Sequence, residues 1–244
     1  MLLPAAVLAL AIAAYVYFFK GDFGRLSELA VVQPPGWRRR RYRLWIAKSW
    51  LLFAGPALIG LALLGRIDLL LTPPIEFVRP ACVAGYPAPV HDLLAELAVG
   101  LAAGSVIGGG WSIWRGRRGR PPAMLGDFST LLPQDRVEAW LAAGSAISAG
   151  ITEEMYFRLL IPLLVTDLTR DPWIGFGVGT VLFALAHRYQ RWLGVVATGL
   201  VGVLLAFFYL QSGALWLAML VHATIDLNGL VVRPALAGML RRDR

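Results

Sequence analysis

A chain of 244 residues that is 58% hydrophobic and only 16% charged falls well below the roughly 25% charge of ordinary soluble domains, so the bilayer is the first solvent to consider. Its net charge of +8 raises nucleic acid as a partner, but the arginines gather in short loops, so topology accounts for them and no nucleic acid is expected. The single cysteine, Cys82, excludes an intramolecular disulfide and any paired-cysteine metal or redox motif.

Apolar runs suited to hydrocarbon about 30 Å thick fall at about 2–19, 44–64, 92–114, 147–168, 173–188, 192–210 and 214–232. The predicted fold class is therefore all-α, a polytopic transmembrane helical bundle of about seven spans. Runs such as Leu2 to Phe19 do not alternate in polarity, which excludes a transmembrane barrel. That first run has no basic stretch before it and is followed by Lys20, the pattern of a retained span rather than a cleaved signal. "RRRRYR" at 38–43 reads as a topology anchor. Gly108, Gly109 and Gly110 lack the strand and lysine of a phosphate loop and predict close helix packing or a kink.

The segment 121–146 is polar, then amphipathic. Asp135 or Gln134 caps a helix from Arg136 with Val137, Trp140, Leu141 and Ile147 on its apolar side, an interfacial elbow helix before the fourth span. The organisation expected is N-terminal helices and basic loops over 1–120, then a core with the elbow and four spans over 121–244. Placing loops alternately on two sides gathers Arg38 to Arg41, Arg43, Arg115, Arg117, Arg118, Arg120, Arg136, Arg188, Arg191 and the "RRDR" tail together, with Lys20 and Arg25. The positive-inside rule then puts the N-terminus outside and the C-terminus in the cytoplasm.

Ionisable groups inside spans cost on the order of 2.5 to 3.5 kcal/mol each on insertion scales and face protein or a water cavity. Here they concentrate at Glu153, Glu154 and Arg158, at His187, and at His222 and Asp226. Glu154 and Arg158, four apart, stack and pair on one helix face, whereas Glu153 points about 100° away and lacks a local partner. His222 and Asp226 are likewise one turn apart, an imidazole with an orienting carboxylate. Counted from an inner end near 147, Glu153 lies about 9 Å deep and His222 roughly 15 Å deep, with His187 shallowest. One carboxylate and two imidazoles in the inner half suit water activation: Glu153 as general base, a histidine sharing the water or protonating the leaving amine, and a further donor at the oxyanion. The reaction expected is amide hydrolysis without an acyl-enzyme. No GxSxG or HExxH is present. A zinc site on Glu153, His187 and His222 stays open as an alternative to a cofactor-free site.

Three motifs in order, "EEMYFR" at 153–158 (EExxxR), "FALAH" at 183–187 (FxxxH) and "HATID" at 222–226 (HxxxN/D), resemble the CPBP family of CAAX proteases and bacteriocin-processing enzymes, also called Abi, which includes the type II CaaX prenyl endopeptidase. The resemblance covers about 137–232 and implies an intramembrane glutamic endopeptidase. It implies that Glu153 activates water with His187, that His222 and Asp226 support the oxyanion, and that Glu154, Arg158 and Phe183 are supporting. The partners implied are the bilayer and a peptide or membrane-anchored protein, prenylated substrates being one family option. Asp226 stands where the eukaryotic-type branch has Asn, and an ionised Asp has no proton to donate. Two other readings stay open: an idle partner-binding or bacteriocin-immunity protein, and a proton-coupled transporter using Glu153 and the histidines.

Overall fold

The computed structural model describes residues 2–19, 36–120 and 131–241. The expectations for Lys20, Arg25, the start of the elbow at 121–130 and the last three residues of the "RRDR" tail lie outside the described residues. Regular structure among the described residues is all helical. The main elements are α1 (Leu2–Phe19), α2 (Trp37–Leu63), α3 (Val78–Ala84), α4 (Val90–Arg117), α5 (136–169), α6 (Pro172–Ala186), α7 (Arg191–Ser212) and α8 (Leu215–Leu236). By length and composition α1, α2, α4, α7 (counted from Arg188) and α8 can each cross a membrane, and α6 is a shorter apolar helix. The protein is a polytopic helical membrane bundle.

α5 differs from these helices because it is the central rod. Residues 154–166 are all buried, wrapped by α1, α2, α6 and α8. Protein rather than lipid surrounds its charges, which is why a segment too polar for a lipid-facing span can sit here. Its start departs from expectation: 136–146 is not a separate elbow but the first turns of an unbroken helix. Asp135 caps that helix by accepting from the Glu138 backbone N–H at 2.8 Å, and no proline or capping glycine interrupts it at 147. Accepting that bond, together with one from Arg39, holds the Asp135 carboxyl below its usual range.

α2 also starts earlier than predicted, at Trp37 rather than 44. Arginine is a good helix former, and the segment has partners: Arg38 donates to Glu138 at 2.8 Å and to Gln134 at 2.7 Å, and Arg39 to Asp135 at 2.9 Å. Tyr42 adds a hydrogen bond to the Leu131 carbonyl. The basic anchor thus pins the start of the central rod.

Three rods widen into π-helical turns, at Trp50–Ala54, Met155–Leu160 and Asn228–Val232. Each is followed by a proline at the second position of the next α-helical segment: Pro56, Pro162 and Pro234. A mid-helix proline donates no hydrogen bond and its ring crowds the carbonyl four residues back, here Leu52, Arg158 and Leu230. A wide turn moves that carbonyl away and re-aims the side chains around it.

The two ends of the bundle differ in charge. At one end the segment between α2 and α4 caps the α7–α8 turn: Ala88 donates to the Gln211 carbonyl at 3.0 Å, and Arg66 grips Glu76 through two bonds of 2.6 and 2.8 Å. That fork keeps the Glu76 carboxyl below its usual range. The other end holds the arginines of α2, the C-terminus of α4, the start of α5 and the α6–α7 turn, where Trp45 meets Tyr189 with ring centroids 6.1 Å apart. Between them a shared core draws on Val7, Phe53, Phe157, Phe183, Leu205 and Val221.

Candidate active site

The site is assembled where α5 crosses α8. Gly150 makes the crossing possible: a Cβ there would lie 2.8 Å from the Ala223 backbone nitrogen and 2.9 Å from the Met219 carbonyl oxygen. With the backbones this close, one turn further along α5 Glu154 meets α8. Its Oε1 accepts from His222 Nδ1 at 2.7 Å, and its Oε2 lies 3.1 Å from Arg158 Nε. Glu154, Arg158 and His222 are 0%, 1% and 2% exposed, so the cluster is sealed from both water and lipid. Arg158 lies 4.1 Å above the Phe183 ring and donates to the Gly202 carbonyl at 3.4 Å. The expected pairing of Glu154 with Arg158 is present, and the carboxylate additionally anchors an imidazole.

Phe183 is the hub between the two histidines. Its ring stands edge-on to His222 with centroids 5.5 Å apart and lies 4.8 Å from the His187 ring. Its carbonyl oxygen lies 2.9 Å from His187 Nδ1. A carbonyl can only accept, so Nδ1 carries the proton and the Nε2 of a neutral ring keeps its lone pair. His187 caps the C-terminus of α6.

Glu153, beside the sealed cluster, has a different fate. Its Oε2 is buried without a hydrogen-bond partner, and the residue lines a cavity of about 80 Å³ together with His187, Asp226, Trp45, Ser49 and Tyr189. That volume holds a few waters. The structure therefore brings Glu153, His187 and Asp226 to one cavity and sets His222 behind its wall. The reason is Glu154, which claims His222 Nδ1 across 68 residues of sequence. His222 Nε2 remains 3.6 Å from Asp226 Oδ2, so the predicted one-turn pair holds and Asp226 links the cavity to the cluster. Among the described residues no group of three or more His, Cys, Asp or Glu side chains is placed to hold a metal ion.

Sequence reasoning missed Trp45, Ser49 and Tyr189. All three are uncharged side chains, and the only signal was Tyr189 following His187 by two positions. The depth reckoning also shifts, because α5 starts eleven residues before 147. What places the cavity toward the arginine-rich end is instead its walls: Trp45 of α2, and His187 and Tyr189 at the α6–α7 turn.

Residues 135–228 match the family described as Type II CAAX prenyl endopeptidase Rce1-like. The matched segment runs from the Asp135 cap through the three motifs and leaves α1 to α4 outside. No curated protein and no solved structure matches the chain.

Proposed function

We propose that this chain, whose residues 135–228 match the Type II CAAX prenyl endopeptidase Rce1-like family, is a CAAX-type intramembrane protease and that Glu153 is the general base of a glutamic peptidase. The observation carrying this reading is the contrast between neighbours. Glu154 is hydrogen-bonded to His222 and ion-paired with Arg158 at 3.1 Å, away from the cavity, whereas Glu153 has no counter-charge of its own and lines a water-sized cavity shared with His187.

In this mechanism Glu153 takes a proton from a water that also hydrogen-bonds to the His187 Nε2 lone pair, and the water oxygen attacks the peptide carbonyl carbon. The carbonyl oxygen becomes the oxyanion on the His222 side of the cavity, where Asp226 orients the imidazole rather than donating itself, since an ionised carboxylate has no proton to give. The C–N bond then breaks, and the proton taken from water passes to the leaving amine. Glu154, Arg158 and Phe183 are positioning residues that hold His222 and His187 in place. The substrate is a peptide or membrane-anchored protein, prenylated or otherwise apolar, reaching the site from the arginine-rich end. The positive-inside rule makes that end cytoplasmic.

Purified full-length protein in vesicles, assayed against a library of membrane-anchored peptides, tests the assignment. Glu153→Gln keeps the shape and removes the base, and should lower turnover by at least about a hundredfold, the usual scale of a lost general base. Wild-type turnover by this variant would sink the assignment. The same assay after exhaustive chelation is expected to retain activity. Loss restored by added zinc would instead make Glu153, His187 and His222 metal ligands.

A further inference from the structure

Beside the Glu153 cavity lies a larger one of about 400 Å³, bounded by α4, α7 and α8, and Trp45, His187, Tyr189 and Asp226 line both. It is also lined by Asn228 and Arg233 of α8. Arg233 Nε is buried without a hydrogen-bond partner, and so is Asn228 Oδ1, while the Asn228 amide donates to Ser105 at 3.1 Å. The guanidinium lies flat against α4 at Gly108, where a Cβ would sit 2.7 Å from Nη2 and 3.0 Å from Nε. A side chain at 108 would push the guanidinium out of that slot.

Arg233 is partly buried, its Nε has no hydrogen-bond partner, and it borders a cavity that shares Trp45, His187, Tyr189 and Asp226 with the proposed reaction cavity. The charges across the two cavities have a direction: Glu153 and Asp226 are acidic at one side, and Arg233 is basic at the other. Arg233 follows Asp226 by seven residues along α8, about 10 Å by helical rise, so an anion held there lies away from the scissile bond rather than on it. A peptide lying through both cavities with a negative group at Arg233 satisfies the cation. The reverse orientation sets that group against two carboxylates.

We infer that Arg233, in the slot left by Gly108, is a specificity-determining residue that receives a carboxylate of the substrate and so sets the direction in which the peptide lies. This rests on the hydrolytic reading of the Glu153 cavity and extends it to a substrate class.

The test uses full-length protein in vesicles of neutral lipid and matched membrane-anchored peptides in two pairs. One pair differs only in a terminal carboxylate against a terminal amide, the other only in an acidic against a neutral side chain. Wild type is expected to prefer the carboxylate member of one pair about tenfold or more in kcat/KM, mainly through KM, as fits a charge-assisted bond. The affected pair identifies the source of the carboxylate. Arg233→Gln should abolish that ratio, and Arg233→Lys should restore only part of it, having the charge without the fork. Gly108→Ala should shrink the ratio as well. Titrating the same pairs for binding to the Glu153→Gln protein makes the comparison independent of turnover. An unchanged ratio in Arg233→Gln overturns the inference. So does an effect that is equal for charged and neutral peptides and follows added anionic phospholipid, which would make Arg233 a headgroup contact. Cleavage that survives Glu153→Gln would sink the hydrolytic reading instead, and the binding ratios would still judge Arg233.

Discussion

Glu153 and Glu154 are adjacent in sequence and opposite in circumstance. The 100° between consecutive helical residues turns one into a cavity with an unpartnered oxygen and the other into a sealed triad with Arg158 and His222. The consequences of neutralising them should diverge accordingly. Glu154→Gln leaves Arg158 buried without its counter-charge and loosens His222, a change of the kind that costs about 3–5 kcal/mol. Thermal unfolding in detergent should show a marked fall for this variant and little change for Glu153→Gln. Equal melting temperatures would mean that the cluster contributes nothing to the fold. Half of this was legible in the sequence. The i,i+4 spacing pairs Glu154 with Arg158, but no local rule connects Glu154 to a histidine 68 residues later.

At the scale of elements, the site depends on helices that are locally irregular and closely packed. Mid-helix prolines at 56, 162 and 234 each follow a wide turn, and two of those turns begin directly after Glu154 and two residues after Asp226. The prolines were visible in the sequence as breaks in otherwise apolar runs. What they did to the chain depended on neighbours able to hold a widened turn. Gly150 sets the distance between α5 and α8. Gly150→Ala puts a methyl against backbone atoms that cannot rotate aside, and an overpacked crossing of this kind costs about 1–3 kcal/mol. The variant should unfold at lower temperature and lose peptide cleavage, since the Glu154–His222 bond is made one turn away. Wild-type stability together with wild-type cleavage would show that the crossing has slack.

Across the whole molecule, arginines gather at one end of the bundle while the other end keeps a near balance built around Arg66 and Glu76. We propose that the arginine-rich end faces the cytoplasm, and the chain carries its own reporter. Cys82, the sole cysteine, is exposed on α3 at the opposite end. A membrane-impermeant maleimide should label it in right-side-out vesicles and not in inverted ones. The reverse pattern would turn the protein over and place the proposed active site at the outer face.

The apolar runs, the Asp135 cap, and the pairs Glu154–Arg158 and His222–Asp226 were all determined by the chain alone, because each depends on length, composition or the 3.6-residue period of a single helix. Which glutamate opens to a cavity, why His222 sits behind its wall, and how Trp45, Tyr189 and Arg233 come to border the same space were decided only by the tertiary structure. In lipid, helices gain little from apolar contact with one another, so their docking follows small residues and polar bonds between distant segments. Those long-range contacts have no period and leave no mark in a linear pattern.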